Sequence, residues 1–128
     1  MSIKVVVCII INSENQVLIT KRPLHVDHGG FWEFPGGKIE NSETPYNALV
    51  REIKEEVGLQ VLDAQYLTEI NHDYKCKRVT LLVYRVLSFQ GIPSCRENQI
   101  DLRWVNLNDL SAYSFPEANQ AIINLICN

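Results

Sequence analysis

The chain has 128 residues, 46% of them hydrophobic and 21% charged, with a formal net charge of −3. That is enough chain for a single domain spanning 1–128 with a real core, and the composition is ordinary for a globular protein. The mild acidity leaves no electrostatic footprint for duplex nucleic acid, though it does not exclude a small phosphorylated ligand held through a metal.

The N-terminal run Val5-Val6-Val7-Cys8-Ile9-Ile10-Ile11 follows Lys4 and moves straight into Asn12-Ser13-Glu14-Asn15. It lacks a small-residue cleavage site and falls far short of the roughly 20 residues a membrane span needs. Its β-branched content predicts a buried central strand, with Val17-Leu18-Ile19-Thr20 as hairpin partner. The stretch Pro23 to Gly30 is a loop by its proline and paired glycines. His25 and His28 within it read as exposed polar residues. Arg22 is either a surface charge or a phosphate clamp, because its planar fork suits bidentate phosphate contact.

Thr44 can cap a helix that has Pro45 at its first position and Gly58 at its left-handed end. After it, Gln60–Asn71 and Arg78–Phe89 predict two strands, the second buried on both faces, joined by the polar connection 72–77. Gln90 to Ser94 is a turn, and Cys95-Arg96-Glu97-Asn98-Gln99 a polar loop. Leu102–Val105 is a short strand, and a helical turn begins at Asn106. Pro116 opens a last helix with Ala118, Ala121, Ile122, Leu125 and Ile126 as its apolar stripe. Strands and helices in this order predict an α/β or α+β layer structure. The four cysteines form no CxxC pair, which argues against zinc and for free thiols in a reducing cytoplasm.

The Thr44–Gly58 helix carries the chemistry. At about 100° per residue, Leu49, Val50, Ile53 and Val57 share a sector roughly 100° wide, the usual buried stripe. Glu56 falls about 20° outside it, Glu52 about 60° and Glu55 about 120°, all on one side. Like charges one turn apart repel. A divalent cation offsets that directly, and oxygen-only ligands favour Mg²⁺ or Mn²⁺.

Gly37, five residues, Glu43, seven residues, Arg51-Glu52-Ile53, Lys54, Glu55-Glu56, Val57, Gly58, Leu59 resembles the Nudix box at every defined position. Trp32 to Glu40 is similar to the approach to that box in the MutT-type branch, and Phe115-Pro116-Glu117-Ala118-Asn119 to its Phe-Pro-x-Ala-Asn signature. The resemblance implies a mixed sheet sandwiched between helices, with the box as a loop–helix–loop at the sheet edge. It implies metal ligands at the Gly36 carbonyl, Glu52, Glu55, Glu56 and Glu97. Glu52, Glu55, Glu97 and Arg51 would serve catalysis, Arg51 by orienting a box glutamate with Glu43 nearby. Arg22, Phe34, Arg78 and Asn119 would contact substrate, although Lys77 and Arg78 both answer the family's base-contacting arginine.

The implied activity is Mg²⁺-dependent pyrophosphohydrolysis of 8-oxo-dGTP, with Mn²⁺ able to substitute; a monomer is expected because no exposed apolar repeat in the sequence suggests a partner face. CTP or a modified dCTP is the alternative substrate, because the loop Pro23 to Phe31 looks nearer to pyrimidine-triphosphate relatives. A non-catalytic nucleotide sensor is a third reading, disfavoured by the complete set of box carboxylates.

Overall fold

The computed structural model describes residues 2–74 and 76–127; Lys75, in the expected polar connection, lies outside them. Strand β1 (Ser2–Ile10) is the axis of the molecule. It pairs antiparallel with β4 (Gly36–Lys38) on one side and parallel with β6 (Lys77–Gln90) on the other, and β5 (Gln60–Tyr74) completes a four-stranded sheet in the order β4-β1-β6-β5. A second, antiparallel sheet has the order β3-β2-β7, from Trp32–Glu33, Gln16–Lys21 and Asp101–Asn106.

β1 is buried on both faces, which explains its unbroken apolar run. Val7 and Ile9 point into a core with Val17, Ile19, Phe34, Leu110 and Ile122. Val6, Cys8 and Ile10 point the other way, onto Leu49, Ile53 and Val57 of helix α1 (Pro45–Val57). The sheet thus lies between α1 and the C-terminal helical elements, a mixed α+β arrangement as expected. Those elements are 3₁₀ turns at Leu107–Ala112 and Glu117–Asn119, then α2 (Gln120–Ile126).

Three expectations need correction. Val17–Thr20 is not a ladder partner of β1: beyond the single bridge Ile11–Val17, β2 crosses into the second sheet. Both edges of β1 are already taken by β4 and β6, so no edge is left for it. The polar connection is shorter than expected, because His72, Asp73 and Tyr74 extend β5 and pair with Val79, Arg78 and Lys77. The last helix begins as a 3₁₀ turn and buries Ala118 and Ile122, while Ala121 and Leu125 face outward.

Helix α1 forms as its sequence dictates. Thr44 accepts from the Asn47 N–H (3.1 Å), Pro45 occupies the first turn, and Gly58 sits at φ 76° with its N–H shared between the Ile53 and Lys54 carbonyls. Leu49, Ile53 and Val57 are fully buried.

Candidate active site

The site is built where β4 delivers a backbone loop against the carboxylate edge of α1. Val6 pairs with Gly37 and Val7 with Gly36, so the Gly-Gly pair is fixed to the central strand. The Gly36 N–H donates to Glu56 Oε2 (3.1 Å). Gly37 lies so close over Glu52 that a Cβ there would overlap its carboxylate.

Arg51 ties the loop and the helix together. Its Nε and Nη2 donate to the two oxygens of Glu43 (2.6 and 2.9 Å), and its Nη1 donates to Glu52 (2.9 Å) and Glu55 (3.1 Å). Nη2 also reaches the Lys38 carbonyl (3.2 Å). The Arg51 fork holds the Glu43 carboxyl down to about 2, and Arg51 is in turn held more firmly protonated.

Glu52, Glu56 and Glu97 each offer a carboxylate oxygen within 4.8 Å of the others. Glu97 arrives from the loop between β6 and β7 and is exposed. Burial pushes the Glu56 carboxyl up to about 8; the Gly36 N–H opposes this, while the charges of Glu33, Glu52 and Glu97 add to it. Burial raises Glu52 as well, against the pull of Arg51. Three crowded carboxylates with oxygen-only donors, one of them desolvated enough to resist ionising, fit a hard divalent cation. Glu55 is outside this group: its carboxylate is drawn to Arg51, further round the helix.

A cavity of about 230 Å³ is lined by Arg22, Glu33, Phe34, Lys38, Glu56 and Asn119 among others. Arg22 Nη1 donates to Glu33 Oε1 (3.0 Å) and its Nε to the Asp27 carbonyl (2.8 Å), so the guanidinium is held at the cavity wall. Phe34 is buried and stacks on Phe115 (5.0 Å between ring centres), which anchors the segment carrying Asn119. Arg78 is not brought here. By the two-residue alternation of a strand it faces away from Leu81, which lines the cavity. Its Nε instead donates to Asp73 (3.1 Å). Lys77 is the member of that pair on the Leu81 face.

Two charged residues of the lining, Glu33 and Lys38, are not singled out by the sequence. Glu33 stands between the buried aromatics Trp32 and Phe34, a pattern that from sequence alone reads as an outward-facing residue of a half-buried strand.

A model of the Nudix domain matches residues 6–125. The chain belongs to the Nudix family. An 8-oxo-dGTP diphosphatase of Escherichia coli K12 is 36% identical over 121 residues, covering 94% of this chain and 93% of that protein. A CTP pyrophosphohydrolase of the same organism is 32% identical over 114 residues, covering 89% and 84%. A solved MutT structure, from a study of the Aliivibrio salmonicida and Vibrio cholerae proteins, superposes with a TM-score of 0.86 at 40% identity, covering 99% and 98%. This Nudix chain is a hydrolase of a family that generally uses divalent metal ions, and its acidic cluster is the candidate place for them. No helix among the described residues is long and apolar enough to cross a membrane.

Proposed function

We propose that this Nudix hydrolase cleaves 8-oxo-dGTP to 8-oxo-dGMP and pyrophosphate, which clears an oxidised precursor from the nucleotide pool. One observation carries the reading: a single cavity is lined both by Glu56 of the carboxylate cluster and by Asn119. A nucleotide laid along it would put phosphates at the acids and a purine edge at the amide.

Glu52, Glu56 and Glu97, joined by the Gly36 carbonyl, would hold Mg²⁺, with Mn²⁺ able to substitute; Glu55 would join only by leaving Arg51. When bound, the cation neutralises phosphate charge and lowers the pKa of water. Arg22 and Lys38 bind phosphate oxygens along the cavity wall. Arg51 holds Glu52 in place from below. Glu97 is exposed and has no ion-pair partner among the described residues, so one oxygen of its carboxylate can face the cation while the other takes the proton of the attacking water. The water oxygen bonds to the β-phosphorus as the bond to the α–β bridging oxygen breaks. The nucleoside monophosphate and pyrophosphate leave. Asn119 presents its amide to the base, where it can donate and accept at once.

The chain acts as one domain and as a monomer, works in the cytoplasm, and needs no duplex nucleic acid. The 32% identity to a CTP pyrophosphohydrolase favours CTP as the second reading. Steady-state pyrophosphate release from 8-oxo-dGTP, dGTP, CTP, dCTP and 5-methyl-dCTP decides between them. A low KM for 8-oxo-dGTP supports the proposal. A preference for a pyrimidine triphosphate overturns the substrate and keeps the site.

A further inference from the structure

The carboxylate cluster draws on two distant parts of the chain: Glu52 and Glu56 stand on α1, and Glu97 on the loop between β6 and β7. The end of the helix joins them. The last carbonyls of an α-helix have no donor within the helix. Here Ser94 N–H donates to the Val57 carbonyl (3.0 Å) and Arg96 N–H to the Glu56 carbonyl (3.0 Å). Gln99 adds a second bond to that same Glu56 carbonyl through Nε2 (2.9 Å). Its Oε1 accepts the Glu97 N–H (2.8 Å). One half-buried side-chain amide therefore bridges the main chain of Glu56 and the main chain of Glu97. The donor meets a carbonyl and the acceptor meets an N–H, so only one orientation of the amide satisfies both. Asn98 between them sits at φ 63°, which folds the chain back and lets residue 99 reach residue 97.

We propose that Gln99 is the positioning residue for Glu97, fixing its distance from Glu56 by holding both backbones with one amide. This rests on reading the three carboxylates as the metal and proton-transfer site. The loop keeps its Ser94 and Arg96 bonds without Gln99, and Ile100 N–H still reaches the Lys21 carbonyl (3.0 Å). Losing the amide thus frees Glu97 without undocking the loop.

The test is Gln99→Met, which keeps the length of the side chain and removes both bonds. Gln99→Asn, one methylene too short to span, serves as the second variant if the first folds poorly. Mn²⁺ binding without nucleotide is read by electron paramagnetic resonance, and amide exchange at Glu97 by NMR. Each variant should weaken Mn²⁺ binding about tenfold or more, the usual cost of losing a group that orients a ligand. It should speed exchange at the Glu97 amide and lower kcat more than it changes KM. In a Glu97→Gln background the same substitution should change Mn²⁺ affinity no further. An equal loss in both backgrounds, or none in either, overturns the proposal. If the parent binds no Mn²⁺, or Glu97→Gln binds it as the parent does, the metal reading itself fails and takes this inference with it.

Discussion

Replacing Gly37 by alanine should separate the site from the fold. The added Cβ would lie 2.7 Å from Glu52 Oε1, closer still to the other carboxylate atoms, where ordinary contact begins at 3.4 Å. The backbone at Gly37 needs no left-handed conformation, so alanine itself fits the strand. What yields is the free end of the Glu52 side chain, which must retreat by about 1 Å, a misplacement that costs on the order of 10²-fold in rate. Stability should change by under about 1 kcal/mol, because Gly→Ala at a compatible backbone also narrows the unfolded ensemble. The assay pairs a thermal melt with pyrophosphate release at saturating Mg²⁺. A large kcat loss with an unchanged melt is expected. A variant as active as the parent would refute the placement of Glu52 beneath Gly37. A variant that melts far earlier would show that the loop, not the carboxylate, is the rigid partner.

Further predictions follow from the same geometry. In chelator, Glu56 binds its proton more tightly folded than unfolded, so its share of stability is present below about 4.5 and is lost as the pH rises toward about 8. Thermal melts across that range should therefore fall for the metal-free protein, and Glu56→Gln should flatten the slope; an identical slope in the variant counts against a buried, proton-holding Glu56. Arg51→Lys keeps one charge but not the planar fork, so it cannot serve Glu43, Glu52 and Glu55 together. Its kcat should fall by at least tenfold, the low end of what a group orienting a ligand is worth, and comparable activity would make the network ornamental. Asn119→Ala should raise KM for 8-oxo-dGTP more than for dGTP, and equal losses across nucleotides would rule out base reading.

Where the sequence spoke clearly, the forces were local. Thr44, Pro45 and Gly58 bound α1 because caps act within one turn, and Leu49, Ile53 and Val57 fall on its buried face because helical period alone places them. The same period put Glu52 and Glu56 at the edge of that face. What stayed hidden depends on distant neighbours. Nothing near Val17 announces that β1 has no free edge, and nothing near Gln99 announces the Glu56 carbonyl. Lys77 and Arg78 cannot be told apart from sequence because face depends on register, and one residue of slip along β6 reverses it. Leu125 and Ala121 look like core residues by spacing, but α2 has only seven residues and turns a single edge inward.

The parallel pairing of β1 with β6 sets a timetable for the molecule. It joins Ser2 to Arg78 and Ile10 to Val86, contacts that close most of the chain into one loop. Such pairings form late, because loop entropy must be overcome before they reward the chain. Helix α1 can form early on local signals, yet it brings only two of the three clustered carboxylates. The third arrives with the segment after β6. A half-assembled chain thus holds an acidic helix without a cation site. Divalent ions should therefore leave the refolding rate nearly unchanged and slow unfolding, acting as a latch on the finished protein.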